Sequence, residues 1–144
     1  MDHKTPVTTY VGLDISLAET HICVLDQDGT RLYQGAVPSD PDALADIICL
    51  KASNCERIGM ETGATTPWLW RALRGRGLPV ICIDARHANR ALSMRKNKTD
   101  KNDAQGLAEL MRIGWFKEAN VRSPQTQYVR SLLTARYQLR LSRK

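Results

Sequence analysis

The chain has 144 residues, 42% of them apolar and 25% charged, with a formal net charge of +6. That length suits one domain with a short appendage and can bury a core without disulfides or a structural metal, and the composition excludes global disorder. No stretch approaches the roughly 20 apolar residues of a membrane-spanning helix, and residues 1–10 lack the apolar core of a secretion signal, so a cytoplasmic protein with no membrane partner is expected.

Residues 8–16, TTYVGLDIS, alternate Val11, Leu13 and Ile15 with Tyr10, Gly12 and Asp14, which is the period of a strand. His21 to Leu25 forms a second strand, Asp28-Gly29 a tight turn, and Arg31 to Val37 a third strand. Ser39 or Asp40 can cap a helix containing Leu44, Ile47 and Ile48. Arg57 to Glu61 is a short buried strand closed by Thr62-Gly63. Thr66-Pro67 opens a helix through Leu73, with Gly75 and Gly77 behind it, and Pro79 to Asp84 is a further buried strand.

Residues 86–99 are basic and lack a clear period. Asp100 then opens a helix whose Ala104, Leu107, Ala108 and Met111 follow the i, i+3, i+4, i+7 rule, ended by Gly114. After Pro124 a last helix carries Tyr128, Leu132, Ala135 and Leu139 at coiled-coil spacing and has no stop signal, which suggests a truncation within a longer protein. The order β-β-β-α-β-α-β-α implies a mixed sheet with helices packed on it, an α/β or α+β domain. Cys23, Cys49, Cys55 and Cys82 form no CxxC pair and are expected to be reduced core thiols.

Charge is distributed unevenly. Residues 1–85 hold 7 Lys+Arg against 11 Asp+Glu, whereas residues 86–144 hold 14 against 4. A basic excess over two separate segments favours a nucleic-acid partner over a merely solvated helix surface.

Four acids stand out by position. Asp14 interrupts an apolar strand and points away from Val11, Leu13 and Ile15, and Glu61 ends a buried strand. Asp100 and Asp103 share one face at a helix start. If the first and fourth strands are neighbours, Asp14 and Glu61 meet at one sheet edge, where a crossing helix brings Asp100 and Asp103 opposite. Such a cluster would suit Mg²⁺ or Mn²⁺. The plainer reading makes Asp100 a helix cap, Asp103 a first-turn acid and Glu61 a surface residue. Spacing alone leaves the two readings balanced.

Three segments carry a family resemblance: Gly12-Leu13-Asp14-Ile15-Ser16, Met60-Glu61-Thr62-Gly63, and Lys98-Thr99-Asp100-Lys101-Asn102-Asp103-Ala104. Together and in this order they resemble the N-terminal domain of DEDD-motif transposases of the insertion-sequence 110 family, which includes pilin-gene invertases and bridge-RNA-guided recombinases. The resemblance implies a RuvC-like, RNase H-type domain over residues 8–116 and the start of a coiled-coil helix over 124–144. It maps an acidic tetrad onto Asp14, Glu61, Asp100 and Asp103, holding two Mg²⁺ ions that Mn²⁺ can replace. It implies DNA cleavage and strand transfer during transposition and a noncoding guide RNA as partner in such systems; the coiled-coil spacing of the C-terminal helix itself leads to the expectation of a homo-oligomer built through it. The family's further domain, with its catalytic serine, has no counterpart in these residues.

Beside the tetrad, Arg95, Lys96, Lys98 and Lys101 are candidates to hold a phosphate backbone. Arg130, Arg136, Arg140 and Arg143 flank the coiled-coil seam and either grip nucleic acid or solvate a dimerising helix. Of Trp68 and Trp70, one is expected in the core and the other free to stack on a base. Trp115 and Phe116 are expected to pack the last helix onto the domain. Ser16 and His87 are polar residues with either a phosphate-contacting or a purely surface role. The rival readings are a RuvC-type Holliday-junction resolvase and a non-catalytic nucleic-acid-binding and dimerisation fragment. An actin-like ATPase is a poorer fit, because the chain is too short for two lobes.

Overall fold

The computed structural model describes residues 7–63, 66–84 and 100–119, of residues 66 and 100–102 the backbone alone. Among the described residues, five strands form one mixed sheet: β1 (Thr9–Ile15), β2 (Glu19–Asp26), β3 (Arg31–Pro38), β4 (Cys55–Glu61) and β5 (Val80–Ile83). Their order across the sheet is β3-β2-β1-β4-β5. The first three make an antiparallel meander, and β4 and β5 run parallel to β1. Among the described residues, three helices flank it: α1 (Pro41–Lys51), α2 (Thr66–Arg74) and α3 (Asp100–Ile113). This is the expected mixed sheet with packed helices, and the described elements follow the expected order.

Local chemistry explains the connections. Gly29 takes φ +87° in the β2–β3 turn, a conformation that glycine adopts without steric cost. Asp26 Oδ1 accepts the amides of Asp28 and Thr30 there, at 2.9 and 2.8 Å. Of the two cap candidates, Asp40 caps α1: its carboxylate accepts the Ala43 amide at 3.0 Å, and Pro41 follows at the first helical position.

The two-residue period of β1 divides the core. Val11 and Leu13 join Ile22, Val24, Ile58 and Met60 against Leu44 and Ile48 of α1 and Leu69 and Leu73 of α2. The opposite face lies under α3, where Tyr10 and Ile83 pack with Leu107, Leu110 and Met111, and Cys23 and Leu25 with Ala104 and Ala108. The four periodic residues named for α3 are all fully buried.

Three details depart from the sequence reading. Cys23 and Cys82 are buried, but Cys55 is half-buried and Cys49 exposed, because Cys49 lies off the α1 face that carries Leu44, Ala45 and Ile48. Phe116 packs beside the α3 cluster while Trp115 is exposed. Residues 117–119 pair antiparallel with β5 through Ile83↔Glu118, Asp84 N–H to Lys117 O (3.0 Å) and Ala119 N–H to Cys82 O (2.7 Å). The expected coiled-coil helix over 124–144 lies outside the described residues. Among the described residues, no helix is long and apolar enough to cross a membrane.

Candidate active site

Two glycines set the position of α3. A Cβ on Gly12 would stand 2.0 Å from the Ala104 carbonyl oxygen and 2.5 Å from the Ala108 nitrogen. A Cβ on Gly59, the β4 partner of Gly12, would meet the Met111 side chain at 2.8 Å. Bare backbone at these points lets the helix lie directly on the central strands.

The direction of α3 follows from its other contacts. Glu109 and Arg112 stand beside Gly29, in the turn at the end of β2. Asp26 at that end of β2 pairs with Thr9, the first residue of β1. The Arg57 guanidinium, near the start of β4, donates to the Met111 carbonyl. The C-terminus of α3 therefore covers the beginnings of β1 and β4, and its first turn lies toward their ends.

Those ends carry the acids. The β1–β4 register closes at Leu13↔Met60, and the next residues along the two strands are Asp14 and Glu61. Asp14 shares the strand face of Tyr10 and Gly12, and Glu61 that of Gly59, so both belong to the α3 side of the sheet. Asp103 precedes Ala104, the residue over Gly12. All three acids are half-buried, and neither Asp14 nor Glu61 is without an interaction partner. Asp100 belongs to the same first turn of α3 by its backbone. Asp14 and Glu61 thus lie on adjacent strands, as the sequence reading required, at the C-terminal end of the central strands rather than at a lateral edge.

Among the described residues, no three His, Cys, Asp or Glu side chains form a group able to hold a metal ion; the Asp100 side chain is not one of them. The donor chemistry of the four acids is all oxygen, which is the preference of Mg²⁺ and Mn²⁺.

Other candidate residues fall into place around this end. Ser16 braces the β1–β2 turn: its hydroxyl donates to the Glu19 carbonyl there, and its own carbonyl accepts the Ser39 hydroxyl at 2.6 Å. Trp70 packs on the core with the Arg74 guanidinium 5.2 Å from its ring centre, and Trp68 is 53% exposed near the start of α2. His87, Arg95, Lys96, Lys98, Arg130, Arg136, Arg140 and Arg143 lie outside the described residues, as does the Lys101 side chain. One neighbour of the acids was not singled out in the sequence. His21 is the β2 partner of Asp14 in the register, and the tight β1–β2 connection was the signal that could have found it.

The opposite end is held by different chemistry. Tyr10 Oη donates to Glu56 at 2.6 Å, and the neighbouring carboxylate pushes the phenol above its ordinary range. Arg57 lies over the Tyr10 and Phe116 rings at 5.6 and 5.9 Å, fastening the end of α3 to the sheet.

A mixed five-stranded sheet with an acidic end under a crossing helix defines a RuvC-like domain of the RNase H type. RuvC of Thermus thermophilus, solved in complex with a Holliday junction substrate, superposes with a TM-score of 0.53 at 12% identity, covering 78% of this chain and 99% of that one. A second T. thermophilus RuvC structure gives 0.52 at 14% identity, over 79% and 100%. The transposase profile of the IS110 type with the DEDD motif matches residues 11–143, and the chain belongs to that family. It is 28% identical over 134 residues to the transposase for insertion sequence element IS1111A of Coxiella burnetii. That match covers 92% of this chain and 35% of the relative, so the chain spans about a third of that protein's length.

Proposed function

We propose that this chain is the catalytic N-terminal domain of an insertion-sequence transposase that cuts and transfers DNA strands with divalent metal ions. The observation that carries the reading is the shared location of Asp14, Glu61 and the first turn of α3. Asp14, Glu61, Asp100 and Asp103 would hold Mg²⁺, two ions in the fullest form of the proposal. Bound there, the metal would supply charge stabilisation at a scissile phosphate and ease ionisation of an attacking hydroxyl. The carboxylates fix that charge in place, and the sheet and α3 hold them on rigid elements.

The connection between β5 and α3 supports a polyanionic substrate. Ile83 pairs with Glu61, so the chain leaves β5 at the acidic end and re-enters α3 at the same end. Residues 86–99 between them carry five Lys+Arg and no Asp or Glu. Arg95, Lys96, Lys98 and Lys101 are the side chains we assign to the phosphate backbone, and Arg130, Arg136 and Arg140 to a second nucleic-acid contact beside an oligomerising helix. The same positive charge suits a noncoding guide RNA as well as DNA.

The test is Asp14→Asn in the longer transposase that carries this domain. DNA strand cleavage is expected to fall by at least about 100-fold, the scale of removing one preorganised electrostatic group, with the far-UV circular dichroism unchanged. Unaltered cleavage by that variant overturns the proposal.

A further inference from the structure

His21 is the cross-strand partner of Asp14. Directly opposed residues in an antiparallel pair hold their Cβ atoms about 5 Å apart, within reach of an imidazole and a carboxylate. Both side chains lie on the α3 side: His21 alternates with Cys23 and Leu25, which pack under Ala104 and Ala108. On its other flank His21 faces Ala36 of β3, which offers no polar side chain. There the sheet opens into a shallow hollow lined by His21 and residues 31–36. Cys23 and Leu25 are fully buried, whereas His21 is half-buried.

We propose that His21 is a positioning residue for Asp14, donating an imidazole N–H to its carboxylate and so fixing which oxygen is presented to a divalent cation. The inference rests on the metal-binding reading of the tetrad. An N–H donor on the adjacent strand fixes the orientation of a strand-end carboxylate without competing for the ion. His21 is thereby distinct from the tetrad, whose members contact the ion themselves.

The experiment is a Mn²⁺ titration of the full chain, with free Mn²⁺ read by electron paramagnetic resonance. His21→Ala, His21→Phe, His21→Asn and His21→Gln are compared with wild type and with Asp14→Asn, each checked for fold by far-UV circular dichroism. His21→Ala and His21→Phe are expected to weaken Mn²⁺ binding about 10-fold, the lower end of outer-shell effects. At least one amide variant, which keeps an N–H donor, is expected to recover most of the loss. Wild-type affinity in His21→Ala or His21→Phe overturns the inference, as does a loss that neither amide restores. If Asp14→Asn weakens binding while the His21 variants do not, the inference fails and the metal site stands. If Asp14→Asn also leaves binding unchanged, the metal reading itself fails.

Discussion

The two faces of the sheet are built on opposite plans. The face under α1 and α2 is a continuous apolar layer in which Val11, Leu13, Ile22, Val24, Ile58 and Met60 meet the helices side chain to side chain. The face under α3 is thinner, with glycines at the centre of β1 and β4, alanines on the helix and two smaller apolar clusters. The first face derives its stability from buried volume; the second brings a helix backbone onto the sheet and ends in acids. The larger buried layer and the candidate acids are thus divided between the faces, and a single strand, β1, serves both through alternate residues.

The sharpest test of that division is Leu13→Ala. Leu13 is fully buried in the larger layer, and its truncation is expected to cost about 4 kcal/mol, in the range for buried leucine, measured by urea unfolding. Gly12→Ala, one residue away, adds volume instead. Its Cβ would collide with α3 backbone rather than with a side chain that can swing aside. About 3 kcal/mol is expected, with tryptophan fluorescence and proteolysis reporting loosening of α3. Gly59→Ala breaks or sharpens the same comparison, because it meets the flexible Met111 side chain, and about 1 kcal/mol is expected. Equal costs at Gly12 and Gly59 would show that backbone approach does not set the position of α3.

Smaller effects come from the periphery of the larger face. Asp40→Ala removes the α1 cap and is expected to cost about 1 kcal/mol, read from the shift in the urea midpoint. Burial pushes the Cys55 and Cys82 thiols up to about 11 from an ordinary 9.0. The unfolded chain therefore releases these protons at lower pH than the folded one. Their contribution to stability is complete below the unfolded value and is lost as pH rises through the folded value. The urea midpoint is expected to drop between about pH 9 and about pH 11, and to drop less when both cysteines are replaced by alanine.

Much of the architecture was legible in the sequence because its signals are local. The alternation around Val11 and Leu13, the Asp28-Gly29 turn, the Asp40 cap and the period of Ala104, Leu107, Ala108 and Met111 each arise from neighbours within one or two turns of chain. Element ends were less legible. β2 and β4 each begin two residues earlier than their apolar patterns indicate, because strand pairing extends past the outermost fully buried apolar side chains, Ile22 and Ile58. The pairing of residues 117–119 with β5 had no local signal, since edge hydrogen bonds place little demand on side-chain type.

The candidate site divides in the same way. Asp14 and Glu61 were conspicuous because an acid ending or interrupting an apolar strand demands an explanation, and the three motif segments gave the family. Residue identity and spacing could not say that Gly12 is the seat of a helix arriving from nearly a hundred residues away, nor that His21 stands opposite Asp14. By itself the sequence determined the strands, the helices, the face on which Asp14 lies and the uneven charge, all written in short-range periodicity and composition. Only the tertiary structure decided the strand order, the direction of α3 and hence which acids share an end. These depend on backbone approach and register between distant segments, which no local pattern encodes.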